Sequence, residues 1–83
     1  MESFARGAEP LTTGSILAIQ GTVVDVVFGE ALPPVHTLLR TGEQGKVLLE
    51  VLTHLEANKI RGIALTPPGG LYRGMPVYDM GSP

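Results

Sequence analysis

The sequence predicts an all-β fold, a small closed six-stranded antiparallel β-barrel. Its apolar residues fall in short runs rich in valine, isoleucine and leucine, and glycine or proline separates these runs roughly every ten residues. Only four of the 83 residues are aromatic and none is cysteine, so the core must be aliphatic and has no disulfide to support it. Closure into a barrel is favoured over an open sheet because it leaves no unpaired strand edge.

The first two predicted strands follow a polar N-terminal segment. Residues 1–13 are small, polar and interrupted by proline, which predicts a flexible lead-in before a barrel domain at residues 14–83. Within that domain, residues 15–20 form the first predicted strand, and Gly21 separates it from the second at residues 22–28. The second strand has the clearest signal, because six of its seven residues are valine, threonine or phenylalanine.

Proline and glycine divide the rest of the chain into four further strands. Two consecutive prolines lack backbone N–H donors, which marks residues 29–34 as a loop. Strands are predicted at residues 35–40, 46–55, 59–66 and 76–80, with turns at residues 41–45 and 56–58 and a Gly/Pro-rich loop at residues 67–74. A helix over residues 47–65 is the alternative, since three leucines there have helical spacing, but Asn58 and Gly62 interrupt it.

Alternation along the second and fourth strands separates a core side from an outer side. The side assigned to the core carries Val24, Val26 and Phe28 in the second strand and Val47, Leu49 and Val51 in the fourth. The other side of the fourth strand carries Lys46, Leu48, Glu50, Leu52 and His54. Aliphatic and charged residues thus share the outer side, which favours a surface that contacts a partner, although scattered surface aliphatics are the alternative. The candidate interface residues on it are Val23, Asp25, Val27, Leu48, Glu50 and Leu52.

Arg73 is a further interface candidate, on the loop before the last strand. Gly69, Gly70 and Gly74 around it allow positive backbone dihedral angles, so the loop can hold the side chain in one direction. Two interpretations remain open. Arg73 is either a solvated turn residue or a bidentate contact to a carboxylate or carbonyl of a neighbouring strand or subunit.

No residue is assigned to catalysis, to a cofactor or to a metal ion. Residues 42–46 have fewer residues between their glycines than a phosphate-binding loop, so they are predicted to form a turn. His36 and His54 lie on different predicted strands without cysteine, which favours solvated histidines over a zinc site. Asp25 and Glu50 stand in apolar runs without a nucleophile nearby, which favours a structural role over acid–base catalysis.

Net charge and hydropathy argue against direct binding to nucleic acid or lipid. The net charge is −2, which offers no electrostatic attraction to an anionic partner. No apolar run approaches the roughly 20 residues that span a bilayer, and the N-terminus lacks the basic and apolar regions of a secretory signal. The chain is therefore expected to be intracellular and to reach a membrane only through partners.

A series of motifs, taken in their order along the chain, resembles one protein family. The series begins with Gly21-Thr-Val-Val-Asp-Val-Val-Phe28, Ala31-Leu-Pro33 and Val47-Leu-Leu-Glu-Val51. It continues with Ile60-Arg-Gly-Ile-Ala-Leu-Thr66, Pro67-Pro-Gly-Gly-Leu-Tyr-Arg-Gly74 and Met75-Pro-Val-Tyr-Asp-Met-Gly-Ser-Pro83. Together they resemble the N-terminal β-barrel of the F-type ATP synthase β subunit, and the combination of the first two favours the β over the α subunit. Met80 and the double proline at Pro67-Pro68 depart from the family pattern, which indicates a divergent β-type subunit.

The resemblance implies an assembly role, with no catalysis by the barrel itself. In that family the barrels of alternating α and β subunits form a ring, the crown, so the implied partners are α subunits and the rest of the F1 catalytic head. A P-loop domain absent from this chain would bind Mg-ATP, and the complete subunit would take part in ATP synthesis or hydrolysis coupled to ion transport. The implied location is cytoplasmic, peripheral to the inner membrane through the complex, and the isolated barrel would be a monomer or weak oligomer. The alternative is a free-standing small barrel that binds a ligand or an oligonucleotide.

Overall fold

The computed structural model describes residues 10–81, in which six β-strands close into an antiparallel barrel. Numbered in chain order, the strands are β1 (Thr12–Gln20), β2 (Val23–Phe28), β3 (Leu38–Thr41), β4 (Val47–Leu55), β5 (Lys59–Ala64) and β6 (Pro76–Asp79). Around the barrel they follow the order β1-β2-β5-β4-β3-β6, and each neighbouring pair is antiparallel. The predicted fold class is confirmed.

Strands β2, β4, β5 and β6 begin and end within two residues of their predicted bounds. Strand β1 begins earlier than predicted, because Thr12 and Thr13 already pair with the end of β6. Most of the predicted lead-in, residues 1–9, lies outside the described residues. The helix alternative for residues 47–65 is wrong, since this stretch contains β4, a turn at residues 56–58 and β5.

The third strand begins at Leu38, whereas the sequence predicts it at residues 35–40. The reason is a turn: the Thr37 N–H donates a hydrogen bond of 3.1 Å to the Pro34 carbonyl, and His36 between them has a φ of +77°. A positive φ at the third residue is the geometry of a type II turn, so the chain reverses before the strand starts. The double proline signals the turn, but nothing in the sequence signals a histidine in this conformation.

The barrel interior is filled by aliphatic side chains and one aromatic ring. The ten core residues, none more than 6% exposed, are Ile16, Val24, Val26, Phe28, Leu39, Val47, Leu49, Val51, Ile60 and Val77. They include every residue that alternation assigns to the core side, so that prediction is confirmed. Burial of a single aliphatic side chain contributes roughly 1.5–3 kcal/mol, which makes this cluster the main source of stability.

A β-bulge changes which side chains face outward near the end of β4. The register shifts between Val51 and Thr53, so Leu52 is the extra residue without an opposite partner. Beyond the bulge, His54 is opposite Ile60, a core residue. Residues directly opposite each other share one side of a sheet, so His54 lies on the inner side of the strand pair, at the end of the barrel. His54 therefore does not belong to the outer row that alternation predicts, although it stays exposed at the end of the barrel.

Gly14 in β1 lies where the core comes closest to the backbone. It is paired with Phe28, and a Cβ atom at this position would be 2.7 Å from the Val27 carbonyl oxygen and 2.9 Å from Cε2 of Phe28. Both distances are too short for carbon contacts, and the carbonyl oxygen belongs to the β1–β2 strand pair. Glycine is therefore required here by space.

Replacing Gly14 by alanine should lower the free energy of unfolding by about 1–3 kcal/mol, because the added methyl group overpacks the core and pushes β1 away from β2. Guanidinium chloride unfolding of the chain, followed by circular dichroism, measures the change. Gly29→Ala is the matched control, since no atom lies within 4 Å of a Cβ at that position. Equal stability of the two variants would contradict this account of Gly14.

The turn between β4 and β5 contains two residues in the left-handed region. Ala57 has a φ of +60° and Asn58 a φ of +61°. Asparagine tolerates this conformation, and the Asn58 carbonyl accepts a hydrogen bond of 2.9 Å from the Phe28 N–H, which ties the turn to β2. For alanine the same conformation costs about 1–2 kcal/mol, because its Cβ approaches the following carbonyl oxygen.

Ala57→Gly should therefore raise the free energy of unfolding by about 0.5–1 kcal/mol, the relief of strain being partly offset by the freedom of glycine in the unfolded chain. The same unfolding measurement tests it. Ala31→Gly serves as control, because Ala31 lies in an exposed loop and is not among the residues with positive φ. If Ala31→Gly raised the free energy of unfolding as much as Ala57→Gly, or if Ala57→Gly lowered it, backbone strain at Ala57 would not be the cause.

Candidate interface face

The interface candidates on the second and fourth strands lie on the outer side of three adjacent strands. Strand β5 runs between β2 and β4 and pairs with both of them. The candidates from β2 and β4 therefore flank one strand and form one surface, which we call the β2–β5–β4 face. Its residues are Val23, Asp25, Val27, Leu48, Glu50 and Leu52, together with Lys59, Arg61 and Ile63 of β5.

The β5 residues of this face are the ones that sequence reasoning missed. Ile60 and Gly62 are buried, whereas Lys59, Arg61 and Ile63 between and beside them are half-buried or exposed. This alternation is present in the sequence. It assigns the β5 residues to the same surface as the candidates of β2 and β4 only when β5 is known to lie between those two strands. Gly62 also allows a close approach, since its Cβ would be 3.0 Å from the Glu50 carbonyl oxygen.

A row of mainly aliphatic side chains crosses the face. Val23 is opposite Ile63, Ile63 is opposite Glu50, and Glu50 is opposite Leu38 of β3. All four residues are half-buried. Leu52, raised by the bulge, is 43% exposed beside them. Three branched aliphatic side chains in one cross-strand row form an apolar surface, and covering this surface lowers the free energy.

Asp25 forms an ion pair with Arg61, the residue directly opposite it on β5. The guanidinium donates from Nε to Oδ1 at 2.8 Å and from Nη2 to Oδ2 at 3.0 Å, a bidentate arrangement. The hydrogen bonds from Arg61 hold the pKa of Asp25 below its ordinary value of 3.8, and the nearby positive charges of Arg61 and Lys59 act in the same direction. Asp25 is thus a structural partner of Arg61, in agreement with the structural role that the sequence favours.

Glu50 also has a partner within the barrel. Its Oε2 lies 2.9 Å from Nδ1 of His36, on the turn before β3. The His36 side chain is 77% exposed, so the contact sits at the rim of the β2–β5–β4 face. Asp25 and Glu50 therefore each have a separate partner, and they do not act on one common site.

The second histidine has a different role. Nε2 of His54 donates a hydrogen bond of 2.7 Å to the carbonyl oxygen of Pro33, a buried residue of the loop after β2. This bond fastens the loop to the end of β4, so His54 is more than a solvated surface residue. Within residues 10–81, no three histidine, aspartate or glutamate side chains converge as a metal site would require.

The glycine-containing turn between β3 and β4 does not form a phosphate cradle. Residues Glu43–Gly45 form a short 3-10 turn, and a strand follows it directly. The Gly45 N–H donates to the Gly42 carbonyl and the Lys46 N–H to the Glu43 carbonyl, so these donors are already used. The predicted turn is confirmed, and its groups do not fit a nucleotide phosphate.

In the part of the chain that the structure describes, no helix has the length and hydropathy needed to cross a bilayer.

Arg73 lies outside the β2–β5–β4 face, on the loop before β6. The Met75 N–H donates to the Tyr72 carbonyl at 3.1 Å, and Gly74 has a φ of +89°, so Arg73 stands in the second position of a turn. The Gly74 N–H also donates to the Ile16 carbonyl at 2.8 Å, which fixes the loop to β1. The Arg73 side chain is exposed and bonds to no other residue among residues 10–81. A contact to another subunit stays a prediction.

Comparison with known proteins gives consistent matches. Residues 16–81 match the family described as "ATP synthase alpha/beta family, beta-barrel domain". An ATP synthase subunit beta 2 of Shewanella frigidimarina is 49% identical over 78 residues, which is 94% of this chain and 16% of that protein. An ATP synthase subunit beta 2 of Chlorobium luteolum is 53% identical over 70 residues, 84% of this chain and 15% of the relative. An ATP synthase subunit beta 1 of Chlorobaculum tepidum is 45% identical over 75 residues, 90% of this chain and 16% of the relative. This chain thus spans a small part of the length of the relatives it matches.

The Asp25–Arg61 pair should make stability depend on pH. Because the pKa of Asp25 is lowered in the folded chain, the pair stabilises the fold above the ordinary value of 3.8, and this contribution is lost as pH falls through the folded-state pKa. Asp25→Asn should therefore unfold more easily than the unchanged chain at neutral pH, and the difference should vanish in strongly acidic solution. Urea unfolding at a series of pH values measures it. Arg61→Gln should remove the same acid-dependent contribution, and a pH-independent difference would contradict the assignment.

Proposed function

Because the chain belongs to the ATP synthase alpha/beta family, as the N-terminal β-barrel domain of a β-type subunit, we propose that the barrel is an assembly module of the F1 catalytic head. The family match also confirms the resemblance carried by the motifs. In the proposal, the β2–β5–β4 face packs against the barrel of an adjacent α subunit, as expected of a crown of alternating subunits.

The pairing of charges within the β2–β5–β4 face is the observation that carries this proposal. Asp25 is bonded to Arg61 and Glu50 to His36, while Val23 and Ile63 present aliphatic surface between them. Covering such a face removes apolar surface from water and leaves no carboxylate without a partner. The cores of protein–protein interfaces are likewise poor in unpaired charge.

The chemistry of the complete enzyme is assigned to other parts of the subunit. Since the chain spans about 16% of its relatives, we infer that Mg-ATP binding and ATP synthesis or hydrolysis coupled to ion transport depend on the remainder. The turn at Glu43–Gly45 does not suit a phosphate, which supports that division of labour. The complex would hold the barrel on the cytoplasmic side of the inner membrane, without direct contact to lipid.

A chimaeric subunit tests the assembly role. This chain replaces the matching segment of the Shewanella frigidimarina relative, and the product is combined with the α subunit of the same enzyme. Val23→Lys and Ile63→Lys should each weaken α–β assembly at least about tenfold, because an unpaired lysine would be buried in the interface. Light scattering coupled to size-exclusion chromatography, over a range of subunit concentrations, measures assembly.

Thr22→Lys is the matched control for this experiment. It adds the same charge one residue away from Val23, in the exposed turn between β1 and β2, and should leave assembly unchanged. Failure of the unchanged chimaera to assemble, or normal assembly of both face variants, would contradict the proposal. A fluorescence titration of the chain with single-stranded RNA at low salt tests the alternative binding module, and saturable binding there would favour that alternative.

A further inference from the structure

His36 has a positive φ, a conformation that residues other than glycine adopt uncommonly. It occupies the third position of the turn from Pro34 to Thr37, with a φ of +77°. Four other turns among residues 10–81 are closed by the same hydrogen bond, and three of them carry glycine at the third position, namely Gly45, Gly70 and Gly74, with φ of +68°, +88° and +89°. The fourth carries Gln44, with a φ of +59°. Glycine would therefore satisfy the backbone at residue 36 without strain, so the turn itself does not require an imidazole.

Contacts inside the barrel hold the His36 ring in one orientation. The His36 backbone N–H donates to the Val51 carbonyl at 2.8 Å, which fixes the turn against β4. Its Nδ1 lies 2.9 Å from Oε2 of Glu50, and because a carboxylate accepts hydrogen bonds, Nδ1 carries the proton and donates it. In the neutral ring the other nitrogen, Nε2, is then an acceptor. No residue among residues 10–81 bonds to Nε2.

The position of this ring links it to the proposed interface. Glu50 stands in the row that crosses the β2–β5–β4 face, between Ile63 and Leu38. The His36 side chain projects from the rim of that row and is 77% exposed. With a neutral ring, the His36–Glu50 pair carries one negative charge next to a free acceptor nitrogen. Such a group suits a positively charged N–H donor, as lysine and arginine provide.

We propose that His36 is a specificity-determining contact of this face, whose Nε2 accepts a hydrogen bond from a lysine or arginine side chain of the neighbouring α subunit. The inference rests on the proposed function, because it assumes that the β2–β5–β4 face meets that neighbour. The turn conformation of His36 and its hydrogen bond to Glu50 hold Nε2 in position before the α subunit binds. The His36 side chain therefore loses little conformational freedom on binding. Glu50 acts through His36 and is a positioning residue.

The test compares stability with assembly in the same variants. His36→Gly relieves the strained backbone and removes the imidazole, so the isolated chain should unfold no more easily than the unchanged chain. In the chimaeric subunit the same change should weaken α–β assembly about ten- to hundredfold, the range for losing one hydrogen bond to a charged group. Glu50→Gln, which keeps an acceptor for Nδ1 but removes the charge, should cause a smaller loss.

Ala57→Gly is the matched control. It also relieves a positive φ, of +60°, in an exposed turn, but it removes no polar group and should leave assembly unchanged. His36→Asn is a second test of the contact, because asparagine tolerates the left-handed region but is too short to place an acceptor where Nε2 lies. It should weaken assembly as His36→Gly does, even if the glycine variant folds poorly.

The outcomes separate this inference from the proposed function. If both His36 variants assemble normally while Val23→Lys and Ile63→Lys do not, the proposed hydrogen bond to His36 is wrong, but the β2–β5–β4 face remains supported as the interface. If all four variants assemble normally, the proposed interface itself fails. A loss of assembly in Ala57→Gly equal to that in His36→Gly would also overturn the inference, because backbone strain and not the imidazole would then be responsible.

Discussion

Closure of the sheet by β6 is the constraint on which the other features of this barrel depend. Strand β6 has four residues, yet it pairs with β1 on one side and β3 on the other. At its first residue, the Pro76 carbonyl accepts a hydrogen bond of 2.7 Å from the buried hydroxyl of Thr41. At its last residue, Asp79 accepts hydrogen bonds from the N–H groups of Leu11 and Gly81 at 2.7 Å and 2.8 Å. These bonds hold both ends of this short strand in place. Without β6 the barrel would open and expose its aliphatic core to water.

A closed barrel of this size has room inside for few side chains, and this determines the character of its exterior. The ten core residues fill the interior, so further aliphatic residues such as Val23, Ile63 and Leu52 must lie outside. Charged residues stand among them, but Asp25 and Arg61 neutralise each other. The β2–β5–β4 face thus combines apolar surface with carboxylates that each have a partner, which favours contact with another subunit. The same physical requirement, closure around a small aliphatic core, connects the fold to the proposed assembly function.

Two errors of sequence reasoning fall where a strand pair or a turn deviates from regular geometry. Alternation identifies Val24, Val26 and Phe28 as core residues correctly, because regular strands have a period of two whatever their partners are. It misplaces His54, because the bulge in β4 is a property of the β4–β5 pair and changes the period on one strand only. It starts β3 too early, because His36 adopts a positive φ that its neighbours in the sequence do not indicate. Both deviations lie near the candidate interface, where they set the direction of exposed side chains.

The sequence by itself determined most of the strand positions, the core side of β2 and β4, and the family, because propensity, period and motif order act through residues close together in the chain. Only the tertiary structure decided that β5 lies between β2 and β4, and therefore that Asp25 meets Arg61 across 36 residues and His36 meets Glu50 across 14. Strand order and register follow from the requirement that all six strands close without a free edge around one core. That requirement involves the whole chain at once, so no local pattern of residues contains it.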